Sequence, residues 1–182
     1  MPRRPERRIL VAGASGFLGR HLCLAAPAEW EILAQYRRQT DFPSFIAAAG
    51  RENVTPVPCD LTDADAVTSL RDKVGDTLDV CVFLHGNSDI AGSIAAPADD
   101  LRDNVAALLN VLTRFRIRRF VFNSSGTVYL GRRGPVAPGM PVEPLVPYGV
   151  SKLASELYLK TAQRVGWIED YAILRFFGAY GP

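Results

Sequence analysis

The chain has 182 residues, 48% of them hydrophobic, and a formal net charge of +2. A chain of that length buries roughly 70% of its unfolded surface in one core without disulfide or metal staples, and its 18 Arg and 3 Lys are scattered, so no field suited to nucleic acid is expected. The cysteines Cys23, Cys59 and Cys81 are far apart and odd in number, which suits reduced, buried apolar residues, and no segment approaches the ~18 uninterrupted apolar residues of a membrane span, so a cytoplasmic protein is expected.

The first eight residues form a basic run, read as a solvated tail leading into a strand, with no apolar signal segment behind it. Short apolar runs bounded by turn residues then alternate with longer segments of helical period. A strand over residues 9–12 precedes a helix over 17–26; a strand over 31–36 precedes a shorter helix over 42–50. Strands over 54–59 and 80–85 flank a helix over 63–74, with Asp63 as its cap or first-turn acid. A helix over 98–115, a strand over 119–124, a helix over 148–165 led by Pro147, and a strand over 171–176 complete the series. Between them, residues 131–147 hold five of the thirteen prolines and no periodicity, which predicts a loop crossing the sheet's carboxyl edge. Six strands and about five crossovers predict an α/β fold, a doubly wound parallel sheet with helices on both faces.

The first strand runs into Gly13-Ala14-Ser15-Gly16-Phe17-Leu18-Gly19 and then into a helix, the context that a phosphate-binding glycine turn requires. Gly13 permits the tight turn, Gly16 lets the backbone approach a pyrophosphate, and Gly19 lets the helix pack on the strand; the helix N-terminus offers free N–H groups to the anion. Ser15, Phe17 and Leu18 belong to the same cradle. The second strand ends in Gln35-Tyr36-Arg37-Arg38, with guanidinium groups where a ribose-binding acid is usual. Paired guanidiniums suit a 2′-phosphate, so NADP is expected in preference to NAD.

Tyr148 and Lys152 are four residues apart on a predicted helix and share a face. An ammonium and an oxidised nicotinamide both favour the phenolate, which predicts a lowered tyrosine pKa and a group able to exchange protons while hydride moves. Asn123-Ser124-Ser125-Gly126-Thr127-Val128-Tyr129, at the end of the fifth strand, places hydroxyls at the same edge, one of which is expected to hydrogen-bond the reacting oxygen.

With the glycine turn, Asp60-Leu61, Ser125-Gly126-Thr127-Val128-Tyr129, Tyr148-x-x-x-Lys152 and the closing run from Leu174 to Gly181-Pro182 in order, the chain resembles the extended short-chain dehydrogenase/reductases. The likeness spans residues 8–182. It implies a Rossmann fold and an NAD(P)-dependent epimerase or ketoreductase acting on a nucleotide-sugar. It assigns the catalytic hydroxyl to Ser125, the acid/base role to Tyr148, and the orienting of the nicotinamide ribose to Lys152. It also implies adenine contacts from Asp60 and Leu61, cofactor contacts from Leu84, His85, Gly86 and Asn104, a place near the nicotinamide for Phe177, and a homodimer through the 98–115 and 148–165 helices.

Three departures qualify the resemblance. Gly126 and Thr127 stand where the family's dehydratases carry an Asp-Glu pair, which points away from dehydration. Gly178 replaces an asparagine of the nucleotide-sugar site, and His85-Gly86-Asn87 replaces a run of small residues. Residues 1–182 are expected to form one NAD(P)-binding Rossmann domain without the family's C-terminal substrate-binding region. The alternative is accordingly a truncated cofactor-binding module or dinucleotide sensor with no turnover of its own.

Overall fold

The structure, a computed structural model, describes residues 6–181. Most of the N-terminal basic run and Pro182 therefore lie outside the described residues. In chain order the elements are β1 (Arg7–Ala12), α1 (Phe17–Ala25), β2 (Trp30–Tyr36), α2 (Phe42–Ala48), β3 (Val54–Pro58), α3 (Ala64–Val74), β4 (Thr77–Phe83), α4 (Ile90–Ala95), α5 (Pro97–Leu101), α6 (Ala107–Leu112), β5 (Arg116–Ser125), α7 (Pro147–Arg164) and β6 (Ile168–Phe176). A π turn, Arg102–Ala106, joins α5 to α6, and a 3₁₀ turn, Gly126–Tyr129, follows β5.

All neighbouring strands pair in parallel, in the order β3-β2-β1-β4-β5-β6. This is the doubly wound parallel sheet expected from the sequence. The order reverses between β1 and β4, and at such a switch point the flanking loops part and leave a crevice at the carboxyl edge. Alternation along β1 splits the core into two layers. Ile9 and Val11 pack with Ile32, Ala34 and Val80 against Cys23 of α1 and Phe42 and Ile46 of α2. Leu10 and Ala12 pack with Phe83, Phe120 and Phe122 against Val67 of α3, Leu108 and Val111 of α6, and Leu159 of α7. Each such large side chain removed from water contributes roughly 1.5–3 kcal/mol. All three cysteines are free and buried, and burial pushes the Cys23 and Cys59 thiols up to about 11, so they persist as unreactive thiols.

Local signals act where the sequence places them. The Asp63 side chain accepts hydrogen bonds from the N–H groups of Asp65 and Ala66, capping α3, and Pro147 occupies the first turn of α7. Pro56 and Pro58 lie in β3, at the sheet edge, where a missing N–H is tolerated. Residues 131–147 contain neither a strand nor a helix before Pro147 opens α7, and the segment is tied down by Tyr129 Oη donating to Ala137 O at 3.0 Å.

The structure departs from the sequence expectation at three places. The strands β4, β5 and β6 begin three residues earlier than their apolar periods, in polar stretches such as Arg116 to Arg119. There the pairing is completed by charge: Arg119 Nη2 lies 2.6 Å from Asp170 Oδ2 across β5 and β6. The helix expected over residues 98–115 is interrupted by the π turn and ends at Leu112. Finally, α4 is an additional helix of six residues, too short to display a period. Among the described residues, no helix is long and apolar enough to cross a membrane.

Candidate functional site

Three segments supply the glycine turn and the candidate reacting groups of the groove at the switch point, and the chain after β4 and after β6 completes its lining. The first is the glycine turn. Gly13 adopts φ +78°, a left-handed conformation natural to glycine, and a Cβ there would stand 2.8 Å from the His85 backbone nitrogen. A Cβ on Gly19 would stand 2.5 Å from Gly13 O, so α1 approaches the turn more closely than any side chain allows. No side chain caps α1, leaving its first N–H groups turned toward the groove. The turn is clamped from below by Gln35. This wholly buried side chain accepts from Gly13 N at 2.8 Å and donates to Cys59 O at 2.6 Å, joining the ends of β1, β2 and β3.

The second segment is the carboxyl end of β5. Ser125 Oγ lies 2.8 Å from Thr127 Oγ1 and accepts from Thr127 N, which turns the chain into the 3₁₀ turn and holds the hydroxyl at the rim. Ser124 is committed elsewhere: its hydroxyl donates to Glu156 Oε1 at 2.6 Å in the interior. Of the two hydroxyls at the strand end, Ser125 is therefore the one not tied into the interior. Glu156 is fully buried and pairs with Arg175 of β6 at 2.6 Å, and Arg175 also donates to Tyr129 Oη. That pairing holds the Arg175 guanidinium charged.

The third segment is the first turn of α7. Tyr148 N donates to Ser93 Oγ of α4 at 3.1 Å, fixing the helix start. Lys152 is 4% exposed; its Nζ donates to Asn123 O at 3.1 Å and sits 5.7 Å from the Tyr148 ring centroid. Burial pushes the ammonium down to about 8 while nearby Asp100 acts upward. The Tyr148 phenol is raised, chiefly by burial, with the Ser125 hydroxyl acting against it and Asp100 adding to it. This overturns the expectation of a lowered tyrosine pKa for the chain by itself, because desolvation at this position outweighs the hydrogen bond from the Ser125 hydroxyl.

Gly13, Gly16, Phe17, Leu18, Gly19, Leu84, Gly86, Ser125, Tyr148, Lys152 and Phe177 all line this one groove of about 410 Å³. The remaining expected residues do not line it. Ser15 Oγ donates to Gln39 Oε1. Leu61 is wholly buried in the core, leaving only its backbone for contact, and Asn104 lies buried beneath Gly86. Arg37, Arg38 and Asp60 stand just past the ends of β2 and β3. A larger cavity of about 600 Å³ opens between α7, β6 and the proline-rich loop. It contains neither the glycine turn nor Tyr148, which both lie on the smaller groove. Gln35, Asp100 and Glu156 are the interior residues that sequence reasoning missed. A polar residue closing the buried run Ile32-Leu33-Ala34 was the available signal for Gln35, since central parallel strands are otherwise nearly all apolar.

His85 sits under the turn, its ring 5.9 Å from Phe83, with Nε2 buried and unpartnered. Burial, assisted by the Arg37 charge, pushes it down to about 4. A neutral buried base whose folded pKa lies below its unfolded value of about 6.5 stabilises the fold fully above that value and loses the contribution as the pH falls toward 4. We expect wild-type unfolding free energy to fall by up to about 3 kcal/mol more than that of His85→Asn between pH 7 and 4. Urea titrations at both pH values check this; parallel profiles would reject it.

The groove fits a dinucleotide. Two glycines admit backbone where any Cβ would collide, helix N–H groups face the cradle, and Asn123 Oδ1 is a buried acceptor without a partner. The expected preference for NADP does not stand. Arg37 Nη1 approaches Asp60 Oδ2 at 3.9 Å, so one of the two guanidiniums is drawn to a carboxylate that would repel a 2′-phosphate. A solved relative carries NAD: the UDP-glucose 4-epimerase of Thermus thermophilus was determined with NAD (25% identity, TM-score 0.82, covering 96% of this chain and 56% of that one).

Among sequence relatives, the UDP-glucose 4-epimerase of Azospirillum brasilense is 28% identical over 96% of this chain and 49% of its own length. The GDP-6-deoxy-D-mannose reductase of Pseudomonas aeruginosa is 31% identical over 97% of this chain and 53% of its own. The chain thus spans about half the length of the curated relatives it matches. Residues 9–182 match the family as a whole. With the sheet order, the glycine turn and this span in agreement, the chain belongs to the NAD dependent epimerase/dehydratase family, the extended short-chain dehydrogenase/reductases.

Proposed function

We propose that this chain is the NAD-binding unit of a nucleotide-sugar epimerase or ketoreductase, holding the cofactor together with the acid/base residues of the reaction. The observation that carries the proposal is the convergence of the glycine turn, Ser125, Tyr148 and Lys152 on one groove. Residues 9–19 would hold the pyrophosphate, Asp60 and Arg37 would border the adenosine, and Lys152 would hydrogen-bond the nicotinamide ribose. When bound, the nicotinamide supplies hydride acceptance and return. Ser125 Oγ hydrogen-bonds the reacting oxygen, and Tyr148 Oη takes up or returns its proton. A homodimer belongs to the same reading, supported by Leu101, Val150 and Leu157, which are exposed on α5 and α7.

The module reading is favoured over independent turnover by the openness of the groove beyond the reacting groups. Phe177 is 72% exposed, and water has free access where a substrate would have to be enclosed. The test is calorimetric titration with NAD, then incubation with NAD and UDP-glucose or UDP-galactose followed by proton NMR, with sedimentation of the same sample for the dimer. Micromolar NAD binding without interconversion is the expected result. Interconversion abolished by Tyr148→Phe, with NAD binding retained, would establish turnover by the chain itself. Failure to bind NAD would reject both readings.

A further inference from the structure

Two opposite charges are buried without an ion-pair partner: Lys152, which lines the groove, and Asp100, behind it on α5. Lys152 and Asp100 are 4% and 1% exposed, and neither makes a salt bridge among the described residues. The other buried acid, Glu156, is already neutralised by Arg175. Burying an isolated charge is costly, so the two must be compensated through what lies between them.

That intermediary is Asn104, itself 1% exposed, on the π turn. Its Nδ2 donates to Asp100 Oδ1 at 2.8 Å and to Asn87 O at 3.2 Å. Both partners are acceptors, so the amide can be oriented in only one way. Oδ1 is thereby turned to the opposite side, where it is buried with no partner. There it lies 2.3 Å, and Lys152 Nζ 3.3 Å, from the point at which a side chain on Gly86 would begin. A carboxylate therefore orients an amide whose oxygen borders, with the ammonium, the space that glycine leaves open. Lys152 uses one hydrogen bond, to Asn123 O, and the Phe122 ring lies 5.1 Å away.

We propose that Asp100 is a positioning residue of the Tyr148–Lys152 pair: through Asn104 it presents a fixed acceptor to Lys152, and its buried negative charge keeps that amine protonated. The inference rests on the reading of Tyr148 and Lys152 as the reacting pair. The ionisable groups around Lys152 are Tyr148 and the Arg175-paired Glu156 on its own helix, Asp100 on α5, and His85 below the glycine turn, where His85 also senses Asp103, Asp60 and Arg37. Of these, Asp100 is the one that raises the Lys152 pKa against desolvation.

The chain has only three lysines, Lys73, Lys152 and Lys160, so ¹³Cε-lysine labelling gives three signals that can be followed by NMR from pH 6 to 10.5 without turnover. In the wild type Lys152 should titrate near 8. Asp100→Asn should lower that midpoint by about one unit or more. Asp100→Glu should restore most of it, and Lys73 and Lys160 should not move. If Asp100→Asn does not fold, Asn104→Ala, which keeps the carboxylate but removes the intermediary, should still lower the midpoint. A Lys152 midpoint unmoved in a folded variant overturns the inference, as does an ordinary lysine value near 10.4 in the wild type. Loss of stability alone, without a shift, would mark Asp100 as merely structural. None of these outcomes depends on NAD binding or turnover, so failure here and failure of the proposed function are separately visible.

Discussion

Gly19→Val should lose dinucleotide binding altogether and lower unfolding free energy by about 3 kcal/mol or more. The atoms a Cβ would meet are Gly13 O at 2.5 Å and Ala14 Cα and O at 2.6 Å, all backbone, so no rotamer change relieves the contact. Helix α1 must then move away from the turn. Its N–H groups move with it, and the pyrophosphate cradle widens. Even Gly19→Ala should weaken NAD binding at least tenfold, which corresponds to about 1.4 kcal/mol. The control is Gly139→Ala, in the proline-rich loop, where a Cβ meets nothing within 4 Å and the change should stay within about 0.5 kcal/mol. Calorimetric NAD titration and urea unfolding on the three variants decide the matter. Wild-type affinity in Gly19→Ala would show that the close approach of helix and strand does not set the site.

Glu156→Leu should destabilise the chain by about 3–5 kcal/mol. It strands Arg175, whose side chain is 15% exposed, and leaves the Ser124 hydroxyl without its acceptor. Removing both charges in Glu156→Leu/Arg175→Met should recover much of the loss, since an apolar pair of similar size no longer carries an unmatched buried charge. The effect should reach the groove. Ser124 immediately precedes Ser125, and Arg175 precedes the Phe176-Phe177 segment that lines the site. Weaker NAD binding in the single variant, restored in the double, is the expected result of a double-mutant cycle read by unfolding and by titration. Additive effects of the two substitutions would show that the ion pair is not the coupling element.

Both predictions concern contacts between residues whose sequence separation differs sharply. The glycine turn is local: its three glycines lie within seven residues, and each answers a constraint imposed by the same strand, turn and helix. It was legible in the sequence for that reason. The Glu156–Arg175 pair joins a helix to the following strand, and nothing in either element's periodicity marks those two charges as mates. Arg37 shows the same limit in a different form. The sequence displays two guanidiniums after β2, which suggested a 2′-phosphate, but the strand order puts β3 beside β2 and delivers Asp60 to the same corner.

The parallel sheet, and the placement of the candidate site residues at its carboxyl edge, are legible along the chain. Strands buried on both faces show as continuous apolar runs, crossover helices show their period, and the glycine turn, the Ser125 hydroxyl and the Tyr148/Lys152 spacing are each written within one element or one turn. The tertiary structure alone decided the interior polar contacts: Gln35 pinning Gly13 to Cys59, Ser93 holding the start of α7, and the π turn that carries Asn104 between Asp100 and Gly86. It also decided that burial raises the Tyr148 phenol against the Ser125 hydrogen bond. The physical reason is common to all of these. Apolar burial is non-directional and leaves a periodic trace in sequence, whereas a buried hydrogen bond or charge is stabilised only by a particular partner, and strand order and helix docking determine which partner arrives.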